Sequence, residues 1–226
     1  MALTMKNKIL ISVFLLTLFI SENAFSKAYF SPDKIDVTLI NPPIKTDSEQ
    51  YKKEVEYIVD LQKKVTPEQI KVAEYEIVMR PEILLEKVDS KFTRASHPKL
   101  YQFLDDVYAT SKAVTDKAKN FYNTKRPYIQ EKQVKALINA HANPAYPSGH
   151  TSGSYTWSYV LSEIFPNKKE EFFKQADKIA QSRVIAGMHY PHDVEGGKQL
   201  AKLIFEQLKI TQEFNKDLEV IKQEVK

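Results

Sequence analysis

No cysteine occurs among the 226 residues of this chain. That absence excludes a disulfide framework, a lipoprotein attachment site, a thiol nucleophile and any cysteine-based metal site. A domain without disulfides relies on its core, and about 200 residues are enough to bury one. Glycine is scarce as well: five residues, all between Gly149 and Gly197. A β-rich fold with many tight turns spends more glycine and spreads it more evenly, so helices are expected. Arginine is rarer still, with four residues in the whole chain. The lysines are numerous but scattered, the formal charge is +4, and no basic tract with interleaved aromatics occurs. A nucleic-acid partner is therefore not expected, and a small anionic substrate fits the charge better. After residue 26 no apolar run approaches the roughly 20 residues of a membrane span, so no integral span is expected in the mature chain.

The first 26 residues read as a secretory signal. Lys6 and Lys8 make a positive n-region, Ile9 to Ile20 an apolar stretch, and Ala24-Phe25-Ser26 a small-residue cleavage site. The competing reading, an uncleaved anchor, is disfavoured by the shortness of the apolar stretch. Residues 27–226 then form one domain, exported and expected in the periplasm. They open with a turn-rich entry containing a strand-like run, Ile35 to Ile40. Helical periodicity takes over from Asp47, where Gln50 completes a capping-box pattern. Thr66-Pro67-Glu68 starts a helix expected to reach Arg80, and Pro98 starts a long one expected to end near Lys125. Further helices are expected from Ser148 to Ile164, from an Asn167/Glu170 cap toward Met188, from Asp193 to Lys209, and beyond Thr211. The fold class is all-α, a single-domain helical bundle.

Three clusters carry chemistry. In the first, Lys119 and Arg126-Pro127, the seven-residue spacing is nearly two helical turns, which lets both cations face one anion. A surface lysine is the bland reading of Lys119. Arg126 is more telling, because a planar fork takes a phosphate bidentately. In the second, Pro147-Ser148-Gly149-His150, a helix start offers free backbone N–H groups and a positive dipole end. Gly149 lets the backbone approach closely and Ser148 can add a hydrogen bond, though a plain N-cap reads equally well. His150 has no place in a mere cap. In the third, Ser182-Arg183, His189 and Asp193, the i,i+4 spacing lets the carboxylate fix the imidazole tautomer and leave the other nitrogen nucleophilic. Such a pair taken alone is often structural. No second histidine stands four residues from His189 and there is no cysteine, so no metal is expected. His192 and His141 read as half-exposed loop residues, with His192 able to rim the pocket, and Trp157 reads as core. Eleven specified residues at roughly 5% usage each would coincide with odds on the order of 10⁻¹⁴, which removes chance as the explanation.

The combined pattern resembles the type 2 phosphatidic acid phosphatase superfamily, which includes the vanadium haloperoxidases, and within it the bacterial class A non-specific acid phosphatases. The resemblance implies an all-helical acid phosphatase domain of the vanadium haloperoxidase-like type. It implies His189 as nucleophile, Asp193 as its orienting group, and His150 as general acid and then base. Lys119, Arg126, Arg183, Ser148 and the Gly149 amide would hold the phosphoryl oxygens. The implied reaction hydrolyses small phosphomonoesters through a phosphohistidine, without cofactor or metal; a homo-oligomer is left open. An imidazole with a reference pKa near 6.5 acting as general acid implies an acidic optimum. The stretch from Glu76 to His97 departs from the class A pattern. The rival readings are a phosphatase of lipid phosphates, a vanadate-dependent haloperoxidase and a non-catalytic phosphate-binding domain.

Overall fold

A computed structural model describes residues 26–139 and 143–225 of the chain. Residues 1–25 of the expected signal, and His141, lie outside the described residues. Among those described there is no strand; the α-helices are α1 (Glu49–Lys64), α2 (Pro67–Tyr75), α3 (Leu85–Val88), α4 (Pro98–Tyr122), α5 (Pro127–Gln130), α6 (Gly149–Ile164), α7 (Lys169–Ile185), α8 (Pro191–Lys209) and α9 (Gln212–Glu224). None of them is long and apolar enough to cross a membrane.

α6 is the helix the others surround, packing on α4, α7 and α8. Its sequence explains the position: only Glu163 is charged, and small or hydroxylated residues fill its first half. Ser152, Ser154, Thr156 and Ser158 are buried, yet they satisfy themselves. Thr156 Oγ1 donates to Ser152 O at 2.7 Å, and Ser158 Oγ to Ser154 O at 2.9 Å. Serine and threonine bonded back one turn carry no unmet polar group into the core. Their small size lets α8 come close: a Cβ on Gly197 would lie 2.8 Å from Ser148 O. Trp157 is core as expected, with Nε1 donating to Leu104 O at 2.8 Å.

Several boundaries differ from the sequence reading. The strand-like Ile35–Ile40 is a 3₁₀ turn, Val37–Leu39, started by Asp36; Ile35, Val37 and Ile40 are buried in the main core without a partner strand. Ser48, not Asp47, caps α1 by accepting from Tyr51 N at 3.1 Å. α2 stops at Tyr75 rather than Arg80, and α7 follows a 3₁₀ turn, Pro166–Lys168, instead of an Asn167 cap. The end of α7 matters most for the site. Gly187, at φ 74°, stops the helix short of Met188. Gly187 N donates to Val184 O and Met188 N to Arg183 O, both at 3.0 Å, a Schellman ending that glycine alone adopts without strain. The chain then turns, so that His189 leaves the helix direction.

Candidate active site

The three motif blocks meet around one cavity of about 220 Å³, whose lining includes Lys119, Arg126, Gly149, His150, Arg183 and His189. Lys119 and Arg126 arrive there differently from the sequence reading. They do not share one helix face, because α4 ends at Tyr122 and Asn123 takes a left-handed conformation (φ 47°). Lys119 stands in the last turn of α4, and Arg126 in the extended residue before α5. The residue before a proline is excluded from the helix by its own backbone sterics, which turns Arg126 back toward the cavity.

Both cations are buried and held by carbonyls. Lys119 Nζ donates to Pro144 O at 2.5 Å and Ala145 O at 2.9 Å. Burial, then the neighbouring Arg126 charge, push its ammonium down to about 7. Arg126 Nε and Nη2 donate to Asn143 O and Oδ1 at 2.9 and 2.7 Å, and Nη1 to Met188 O at 3.0 Å. Burial lowers its guanidinium too. Two desolvated cations side by side are a site waiting for negative charge.

His189, 2% exposed, lies between one of those cations and a carboxylate. Its Nε2 is 3.2 Å from Arg126 Nη1, and its Nδ1 is 3.2 Å from Asp193 Oδ2. A guanidinium only donates, so Nε2 must accept and Nδ1 must carry the proton that goes to Asp193. Burial and the charges of Arg126, Lys119, His150 and Arg183 hold the ring well below its usual 6.5, hence neutral. The result is an imidazole with its lone pair turned to the cations. Asp193 is fully buried in the first turn of α8, and Tyr190 N donates to the same Oδ2 at 2.9 Å. Its backbone carbonyl accepts from Ser148 N at 2.9 Å, which ties the second motif block to the third.

Gly149 and His150 form the first turn of α6, whose N-terminus faces the cavity. Ser148 does not line it. The residue is fully buried, and its Oγ accepts from Thr151 N at 3.3 Å and from Thr151 Oγ1 at 2.9 Å, so the plain N-cap role is the one its side chain fills. His150 Nε2 donates to Glu76 O at 2.9 Å. Arg183 is buried beside Glu76, with Nη2 donating to Ala73 O at 2.5 Å and 3.3 Å from Glu76 Oε2. Burial brings its guanidinium down to about 10. Burial raises the Glu76 carboxyl, against the Ser182 hydroxyl at 2.5 Å and Arg183.

Glu76 and Asn143 are site residues that sequence reasoning missed. Asn143 sits four residues before Pro147 with nothing in its spacing to mark it. Glu76 falls just past α2, where the periodic signal runs out. His192 stands in the first turn of α8 rather than in a loop; its side chain is 11% exposed and bonded to Glu54 Oε2 at 2.6 Å. Among the described residues no cluster of three or more His, Cys, Asp or Glu side chains is arranged to hold a metal ion.

Residues 107–205 match the PAP2 superfamily, and that stretch contains all three motif blocks. The chain is 30% identical over 115 residues to a non-specific acid phosphatase of Salmonella typhimurium, covering 49% of this chain and 46% of that protein. It is 30% identical over 137 residues to a non-specific acid phosphatase of Providencia stuartii, covering 58% and 55%. The chain thus spans about half the length of the curated relatives it matches. A solved bacterial vanadium-dependent iodoperoxidase superposes with a TM-score of 0.54 at 22% identity, over 74% of this chain and 52% of that one. At that identity the likeness is one of fold, and it agrees with the all-α bundle.

Proposed function

We propose that this chain is an exported, periplasmic acid phosphatase that hydrolyses small phosphomonoesters through a phosphohistidine at His189. The observation that carries the reading is the His189 ring itself: neutral, proton on Nδ1 toward Asp193, lone pair on Nε2 toward Arg126. A phosphoryl group entering the cavity takes Arg126, Lys119 and Arg183 as its partners, with the Gly149 amide at the α6 N-terminus. Arg126 Nη1 passes from Nε2 to a phosphoryl oxygen and releases the lone pair. Nε2 then forms the N–P bond as the ester P–O bond breaks, and His150 gives its proton to the leaving oxygen. In the second half His150 takes a proton from water, whose oxygen attacks phosphorus and breaks the N–P bond. Phosphoryl transfer is chiefly positioning and charge stabilisation, and fixed cations supply both without a metal.

The cavity lining also includes Ile77, Met79 and Tyr108, apolar groups suited to the organic part of an ester. Turnover of p-nitrophenyl phosphate tests the reading directly. His189→Ala is expected to abolish it; substantial remaining activity would show that the nucleophile is another group. A panel of nucleotides and micellar lipid phosphates at pH 5 to 7 separates small esters from lipid substrates, and halide oxidation with vanadate and peroxide tests the haloperoxidase alternative.

A further inference from the structure

His192 is the ionisable residue of the third motif block that the phosphatase mechanism does not use, and its surroundings are unusually specified. Its Nδ1 is 2.6 Å from Glu54 Oε2 on α1, and the same carboxylate oxygen accepts from His192 N at 3.2 Å. Its Nε2 lies 3.5 Å from Asp193 Oδ1. The ring stacks on Tyr190 at 5.1 Å between centroids and 12°, and on Tyr146 at 6.0 Å and 26°. Nδ1 is thus hydrogen-bonded to Glu54, while Nε2 stands at ion-pair distance from Asp193. Asp193 Oδ1, for its part, is a buried side-chain oxygen that takes no hydrogen bond among the described residues. A buried carboxylate oxygen without a donor is costly unless a positive charge faces it, and the group facing it is His192.

We infer that Glu54 and His192 are positioning residues for His189: Glu54 fixes the His192 ring, His192 keeps Asp193 ionised through Oδ1, and Oδ2 of Asp193 holds the Nδ1 proton of His189. This rests on the phosphatase reading with His189 as nucleophile. Neither Glu54 nor His192 lines the cavity, so both act through Asp193.

The charge balance around Asp193 gives the proposal its sign. Lys119 and Arg126 face the carboxylate from the cavity side, His189 from the loop before α8, and His192 from α8 itself. Glu54 on α1 faces His192. The nearby phenols of Tyr51, Tyr146 and Tyr190 are raised by burial and stay neutral. Burial drives the Asp193 carboxyl upward, and His192 is the first influence opposing it. Without His192, Asp193 protonates at higher pH. A protonated Asp193 no longer holds His189 as an anion does, so activity is lost from the acid side inward.

The test is the pH dependence of kcat/KM on p-nitrophenyl phosphate for the whole chain and three variants: His192→Asn, Glu54→Gln and His189→Ala. Glu54→Gln keeps shape and an acceptor oxygen, so it tests the charge even where His192→Asn folds poorly. In both Glu54→Gln and His192→Asn the acid limb should move up by about one pH unit, a roughly tenfold loss below the limb, with KM above it little changed. An acid limb at its wild-type position in a folded Glu54→Gln protein would overturn the proposal, as would a uniform fall in kcat without a pH shift. Substantial activity in His189→Ala would instead overturn the phosphatase reading beneath it.

Discussion

Replacing Gly197 with alanine tests whether the α6–α8 contact sets the geometry of the site. The Cβ it adds would lie 2.8 Å from Ser148 O and 2.8 Å from Thr151 Cβ. Ordinary contact between such atoms is about 3.5–4.0 Å, so the helices must part by roughly 0.7–1.2 Å. Neither neighbour can swing aside: one is backbone, and the other is a Cβ close to it. Overpacking of this kind costs about 1–3 kcal/mol, and alanine returns about 1 kcal/mol of helix propensity. The net loss is about 0–2 kcal/mol, or a fall in Tm of up to about 8 °C for a domain of this size. Catalysis should suffer more than stability. The parted helices carry the Ser148 N to Asp193 O hydrogen bond of 2.9 Å, so His189 would shift against the Gly149–His150 turn. A misplacement near 1 Å can cost on the order of 100-fold in rate. Gly149→Ala is the matched control, because its nearest neighbours, Lys119 Cε and Thr115 Cγ2, lie 3.7 Å away. It should melt within about 2 °C of wild type while losing activity, since the methyl would enter the cavity. Thermal melts by circular dichroism, with kcat/KM on p-nitrophenyl phosphate, read both. A Gly197→Ala protein with wild-type Tm and wild-type kcat/KM would refute the reasoning.

Three further outcomes follow from the buried charges. Lys119, held down to about 7 by burial and Arg126, is largely deprotonated at pH 8, and an anion beside it raises it again. Sulfate binding at pH 8 should therefore take up protons, seen as a binding enthalpy that depends on the buffer's ionisation enthalpy; buffer-independent heats would contradict this. The same depressed value sets a stability window: the unfolded chain binds more protons than the folded one between about pH 7 and 10.5, so the Lys119 contribution to stability rises with pH across that range. Glu76→Ala leaves Arg183 as a buried charge without its carboxylate and should cost about 3–5 kcal/mol in urea unfolding. A loss under about 1 kcal/mol would mean that Ala73 O alone satisfies the guanidinium.

Helix content, the long α4 and the start of α6 were legible in the sequence because each rests on local chemistry. Proline at a first helical position, an apolar stripe from Leu100 to Val114 and serine before Gly149 act within a few residues. The ends of helices were less legible. α4 was expected to run to Lys125, and the left-handed Asn123 cut it at Tyr122. α7 was expected to approach Met188, and Gly187 turned it early. Lys119 and Arg126 did converge, but across a helix end and not along one face. The apolar run Ile35–Ile40 was read as a strand because it is short and β-branched. What it needed was burial, and it found that in the main core against α4, with no strand among the described residues to pair with.

By itself the sequence picked out the three motif blocks and the helices that flank them, since residue identity and spacing are local properties. It offered Asp193 as the carboxylate that could fix the His189 tautomer, but which nitrogen carries the proton also depends on Arg126 arriving from 63 residues away at 3.2 Å. Nor could it show that Ser148 stays off the cavity wall, that Glu76 pairs with Arg183, or that His192 stands between Glu54 and Asp193. Burial and the partners supplied by other helices set the charge and proton position of each group, and those exist only once the chain has folded.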